Sequence, residues 1–290
     1  MRDALKSYLE NKFDSNSFFI TNDLGYNVLD KIAEKNKQNF VNIGICEQSA
    51  IGFASGVSDY FKNTFVYSIG NFLTIRALEQ IRNDICYHNK NITMISVGAG
   101  FSYSKLGYSH YCIEDAGLVG SLPNVDVFTP FDSYTLLKCL EHCEKSKKPN
   151  YIRIGNIIEN LEGKVKYSKN IFGINRMKKN NKTNKCVISI GRVSGFANRL
   201  IENKLCNHYI LLSNNNTKSI NTIIKKYKHV CIVDEQVERL SIVNNFHAES
   251  NKITKVAISN KNSYEEIGSN EFLINKYMKL KKQINNFLKL

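Results

Sequence analysis

Short runs of β-branched and aromatic residues recur through the first half of the chain, and they are apolar almost end to end. SFFIT at 17–21, FVNI at 40–43, TFVYSI at 64–69, NITMISVG at 91–98, VDVF at 125–128 and YIRI at 151–154 form the series. A strand without polar alternation is buried on both faces, the condition of a parallel sheet held between two layers of helix. The segments between the runs carry helical spacing. Leu73, Ala77, Leu78, Ile81 and Ile85 fall on one side of a helix over 72–87, and Asp132 is an N-cap for a helix reaching about 145. Further helices are expected over 5–13, 25–35 and 113–121. Strand–helix alternation of this kind predicts an α/β fold.

The pattern weakens after 157, where lysine and asparagine accumulate, and resumes with VISIG at 187–191. Strands at 209–212 and 230–233 alternate with helices at 194–202 and 218–227. We therefore expect two domains, 1–160 and 185–290, joined by a linker over 161–184, each a mostly parallel sheet covered by helices. A last helix presents Leu273, Tyr277, Leu280, Ile284 and Phe287 as an apolar stripe, expected to pack on the second domain rather than on a membrane.

Net charge is +14, which could signal nucleic acid. The excess is spread thinly, concentrates in stretches such as 178–185 and the C-terminus, and is not interleaved with aromatics, so no nucleic-acid partner is expected. No run of about 18 apolar residues occurs, and Met1 leads into an amphipathic helix rather than a signal peptide. A soluble, cytoplasmic protein is expected. The eight cysteines form no CxxC pair. Cys139 and Cys143 share a helix face without metal-ligand companions, so the cysteines read as small buried hydrophobes and no metal site is expected on this chain.

One stretch departs from ordinary core. In FVNIGICEQSAIGFASG, at 40–56, a strand turns at Gly44 into a helix whose acid, Glu47, stands near the first turn. The helix is otherwise nearly free of charge as far as Asp59. The simplest role for Glu47 is a carboxylate stabilised by the helix dipole. A carboxylate on a helix meant for burial also needs a chemical partner. Gly52 and Gly56 weaken a helix interior by roughly 1 kcal/mol each relative to alanine, which suggests close approach of another backbone.

Several motifs follow in one order: GICEQ at 44–48, RALEQ at 76–80 after an aromatic-bearing segment, LGYSH at 106–110, ED at 114–115, LPN at 122–124 and YIR at 151–153. Together they resemble the thiamine-diphosphate enzymes of the transketolase family, in the half that binds the cofactor's pyrimidine ring. The resemblance covers about residues 1–156, and the second unit is similar to the family's C-terminal domain. It implies transfer of a two-carbon ketol unit from a ketose donor to an aldehyde acceptor, with a specialised sugar substrate. The family's diphosphate-binding domain is marked by a GDG motif that holds Mg²⁺, and this sequence contains no GDG. The resemblance therefore implies the C-terminal subunit of a split transketolase. Thiamine diphosphate would be shared with an N-terminal diphosphate-binding subunit that holds the Mg²⁺, and self-association would give a heterotetramer.

By motif match, Glu47 is the glutamate that hydrogen-bonds the aminopyrimidine, and His110 is the histidine facing the substrate. Phe72 matches the aromatic against the pyrimidine face, Ile69 stands where many relatives carry a second aromatic, and Asp23 lies where they carry an acid; turn capping is an equal reading for Asp23. Arg76 and Gln80 are expected at a subunit contact. Three departures bear on substrate: Leu106, Gly98 and Asn156 stand where sugar-phosphate transketolases have an aspartate, a histidine and an arginine, although Lys105 could meet a phosphate. The alternatives are a 2-oxoacid-decarboxylating relative (a dehydrogenase beta subunit or a deoxyxylulose-phosphate-synthase-like protein) and a non-catalytic scaffold.

Overall fold

The computed structural model describes residues 1–177, 183–213, 217–245, 253–260 and 264–290. Its strands are β1 Ser17–Thr21, β2 Phe40–Asn42, β3 Asn63–Ile69, β4 Ile92–Val97, β5 Asp126–Phe128, β6 Asn150–Ile154, β7 Val165–Lys166, β8 Ile174–Met177, β9 Lys185–Ile190, β10 Asn207–Leu211, β11 His229–Val237 and β12 Ile253–Ile258. The first six form one sheet in the order β2-β1-β3-β4-β6-β5, parallel at every pairing. Successive side chains of a strand point to opposite faces. Phe19, Phe65, Tyr67, Ile95 and Ile152 accordingly pack beneath the helices Arg2–Lys12, Asp30–Lys35 and Ser133–Cys143. Ile20, Val66, Met94 and Tyr151 pack on the other face, against Glu47–Val57 and the helical segment after β3. That two-sided cover is why these strands are apolar throughout.

The second sheet runs β12-β11-β9-β10-β8-β7. Its core pairings are parallel, while β8 pairs antiparallel with both β10 and β7. The region expected as a linker thus supplies two edge strands, and its residues 178–182, with most of the expected lysine-rich stretch, lie outside the described residues. The apolar stripe from Leu273 to Phe287 packs on this sheet with the helix Val193–Ile201, as expected. It is broken at Lys279, whose left-handed φ of +50° separates the turn Ile274–Met278 from the helix Leu280–Lys289.

A single apolar cluster joins Phe101, Tyr111 and Ile113 of the first unit to Val187, Val233, Tyr264 and Tyr277 of the second. Charged groups cross the same boundary. Arg192 forms a two-point ion pair with Glu235, Nε to Oε2 at 2.8 Å and Nη2 to Oε1 at 3.2 Å. Arg153 donates to Asp115 at 2.8 Å and also to the backbone carbonyls of Cys112 and Glu235. No described helix is long and apolar enough to cross a membrane. Seven cysteines are buried as expected, whereas Cys46, at the start of the Glu47 helix, is exposed.

Candidate active site

In a parallel sheet the loops that follow the strands gather at one edge, where α/β proteins place their ligands. Glu47 follows β2, Phe72 follows β3, the loop carrying His110 follows β4, and Asn156 follows β6. The turn into the Glu47 helix depends on Gly44, whose φ is +78°, a conformation natural to glycine. Asn42 fixes this turn by accepting from the backbone N–H groups of Gly44, at 3.0 Å, and Asp23, at 2.9 Å.

Glu47 is 1 % exposed. The partner that burial demands is Arg76, whose Nη1 lies 2.5 Å from Glu47 Oε2. Ser68, near the end of β3, donates to Glu47 Oε1 at 3.4 Å. Arg76 was expected at a subunit contact; the structure turns it towards this carboxylate because residues Phe72–Arg76 form a π-helical turn rather than an α-helical one. Such single turns recur at functional sites. The guanidinium lies 4.6 Å from the centroid of the Phe72 ring, over its face. Phe72 in turn meets His110 edge-on at 5.1 Å. His110 Nδ1 is 3.0 Å from Ser109 Oγ, and the Ser109 carbonyl accepts from Asn71 Nδ2 at 2.7 Å. These bonds tie the histidine loop to the Phe72 turn.

Glu47, Phe72 and His110 therefore converge, joined by Arg76 and Ser68, which sequence reasoning did not assign to the site. The spacing of Phe72 and Arg76 on one helix was the available signal. Ile69 is half-buried at the end of β3, one strand residue beyond Ser68. Asp23 is exposed, has a positive φ of +52°, and accepts from Asn42 Nδ2 at 3.3 Å; among the described residues it has no bond to Glu47, Phe72 or His110. Gly52 and Gly56 were expected to admit a close backbone. A methyl at Gly52 would come no nearer than 3.8 Å to Asp84, and one at Gly56 would meet nothing within 4 Å, because that side of the helix faces outwards with Phe53.

The three departures have structural counterparts. Gly98 has φ +95°, and a methyl there would sit 2.6 Å from the Tyr103 ring, which occupies the space and faces His110 at 6.5 Å. Asn156 donates to the Ser102 carbonyl and accepts from Arg192 through its own carbonyl, so it belongs to the contact between the two units. Leu106 is 56 % exposed on the histidine loop. Among the described residues no three His, Cys, Asp or Glu side chains converge as a metal site. A cavity of about 710 Å³ beside Lys166, Arg176 and His208 opens in the second unit, remote from Glu47.

Comparison with known proteins agrees with this arrangement. The transketolase pyrimidine-binding-domain model matches residues 1–156. One of the two subunits of the apulose-4-phosphate transketolase of Phocaeicola vulgatus is 29 % identical over 127 residues, 44 % of this chain and 41 % of that protein. A putative transketolase C-terminal section of Methanocaldococcus jannaschii is 32 % identical over 122 residues, 42 % of this chain and 39 % of that one. The match spans about two fifths of the length of these curated relatives. A solved structure described as a split gene transketolase, inactive beta4 tetramer, superposes with a TM-score of 0.74 at 20 % identity, covering 100 % of this chain and 96 % of that one. The strand order, the buried glutamate after β2 and the family match over more than half the sequence lead to one conclusion: this chain belongs to the transketolase pyrimidine-binding-domain family.

Proposed function

We propose that the chain is the pyrimidine-binding subunit of a thiamine-diphosphate-dependent transketolase that works with a separate diphosphate-binding subunit. The observation that carries this reading is Glu47, a carboxylate 1 % exposed that faces the Phe72 ring and the His110 loop at the carboxyl edge of a parallel sheet. The fit to the pyrimidine end of the cofactor is chemical: one carboxylate to accept from a ring N–H, and one aromatic face to stack on. When bound, thiamine diphosphate supplies the carbon nucleophile that takes a two-carbon unit from a ketose and gives it to an aldehyde. Glu47 would hold the ring in orientation and keep a proton at its nitrogen, with Ser68 fixing the second carboxylate oxygen. His110 would hydrogen-bond the substrate carbonyl through Nε2, since Nδ1 is engaged by Ser109.

Nothing on this chain suits the diphosphate and its Mg²⁺ among the described residues, in keeping with a partner that grips that end. The outward face of the Glu47 helix, with Gly52, Phe53 and Gly56, suits self-association, giving a heterotetramer. Tyr103 over Gly98, and Asn156 engaged by Ser102, support a sugar donor held differently from the common pentose phosphates.

Co-expression with a GDG-bearing diphosphate-binding subunit, followed by assay of ketol transfer, tests the reading. The complex is expected to bind thiamine diphosphate with Mg²⁺ where the chain alone binds it poorly. Glu47→Gln is expected to abolish turnover while the complex still assembles. Full turnover by the glutamine variant, or carbon dioxide release from a 2-oxoacid in place of ketol transfer, overturns the proposal.

A further inference from the structure

The Arg76 guanidinium is flat, carries N–H donors in its own plane, bonds Glu47 Oε2 at 2.5 Å and lies 4.6 Å over the face of Phe72. Those are the two contacts that the aminopyrimidine would make: an in-plane donor to the carboxylate, and a ring face to stack on. One carboxylate oxygen and one ring face cannot serve both groups at once. From this geometry, and resting on the reading of Glu47 as the cofactor's carboxylate, we infer that Arg76 holds the pyrimidine's seat in the unliganded chain and must be displaced when cofactor enters.

The electrostatics give the arrangement a reason. A carboxylate as buried as Glu47, left alone, would carry an uncompensated charge, which is far costlier than a paired one. Before cofactor arrives the counter-charge must come from the chain itself, and Arg76 is the cation in contact. Its own side chain is 40 % exposed, so departure into water restores hydration to the arginine while the incoming ring takes over the carboxylate. The exchange keeps the carboxylate partnered at both ends of the step. Ser68, on the other oxygen, need not move. Displacement also couples to the rest of the site, since the ring that Arg76 covers is the one His110 touches. Uncovering Phe72 changes the edge-on neighbour of the substrate-facing histidine.

The test uses the complex of the full chain with its diphosphate-binding subunit, titrated with thiamine diphosphate and Mg²⁺. Arg76→Ala is expected to bind cofactor about tenfold more tightly than wild type, the scale of one partly exposed charge-assisted pair. Arg76→Lys keeps a point charge but loses the flat fork, and should fall between the two. If Arg76→Ala does not assemble, the lysine variant and a cofactor-bound crystal structure carry the test. In that structure Arg76 should have left Glu47 and the Phe72 face. An alanine variant that binds cofactor no tighter than wild type, or an Arg76 still paired with Glu47 beneath a bound pyrimidine, overturns the inference while leaving the cofactor role of Glu47 intact. Unchanged turnover and cofactor affinity in Glu47→Gln overturn both.

Discussion

Glu47 and Glu114 are two acids of the first unit whose surroundings give them opposite characters. Glu47 has a guanidinium against it. Glu114 has lost much of its water and stands beside a second acid: burial first, and the neighbouring Asp115 second, push its carboxyl up to about 7. Arg153 opposes this only partly, being engaged by Asp115, and Tyr108 and Tyr264 press on the site from the histidine loop and the second unit. The sign of the consequence follows from linkage. Between the ordinary 4.5 and about 7 the folded chain keeps a proton that the unfolded chain releases, so stability falls as pH rises through that window. Glu114→Gln retains the shape and removes the charge. It should stabilise the protein by about 1–2 kcal/mol at pH 8, after discounting for partial exposure, and by almost nothing at pH 4.5. Urea unfolding of both proteins at the two pH values measures this, and an equal gain at both would contradict it.

At the scale of elements, the Gly98–Tyr103 pair shows how a loop after a strand can be set by a single missing side chain. Gly98→Ala places a methyl 2.6 Å from the Tyr103 ring at a φ of +95°. Strain and displacement together should cost about 1–3 kcal/mol, read by thermal unfolding, and ketol transfer should fall as Tyr103 moves against His110. A variant as stable and active as wild type would show that the ring does not depend on this clearance. The strands of the first sheet could be read from the sequence because each is covered on both sides and so contains almost no polar residue. β8 escaped because INRM is an edge strand buried only at alternate positions, and β12 because Thr254 and Lys255 interrupt its apolar pattern. The π-helical turns around Phe72–Arg76 and Ile81–Cys86 were invisible for a different reason: the apolar stripe beneath them is the one an α-helix would show. For the site, Glu47, Phe72 and His110 were legible through motif order. The contact of Arg76 with Glu47 was not, since it joins positions 29 residues apart through a turn whose pitch the sequence does not reveal.

At the scale of the whole molecule, the histidine loop is held by the second unit as well as by the first. Arg192 sits at the centre of that hold. Its Nε and Nη2 donate to Glu235, its Nη1 to Ser102 Oγ at 2.6 Å and to the Asn156 carbonyl at 3.3 Å, and its Nη2 also to Asn270 at 2.6 Å. Every N–H of the guanidinium is thereby engaged. Both members of the ion pair are almost fully buried, and Gly100 and Gly155 leave the space for them: a methyl at either would lie 2.1 Å from the Glu235 carboxyl or 2.5 Å from Arg192 Cδ. Taking two charges out of water offsets most of their attraction, so the pair is a poor source of stability but a strong constraint on how the units meet. Arg192→Met should therefore cost about 3–5 kcal/mol, because it strands the Glu235 carboxylate in the interior. Arg192→Met with Glu235→Met strands nothing and should recover more than half of that loss in denaturant unfolding. Ketol transfer should not recover with it. Ser102 and Asn156 lose their anchor in the double variant, and Ser102 adjoins Tyr103, whose ring faces His110. Recovery of stability without recovery of turnover would separate the two roles of the contact, and joint recovery would mean that apolar packing alone aligns the histidine loop.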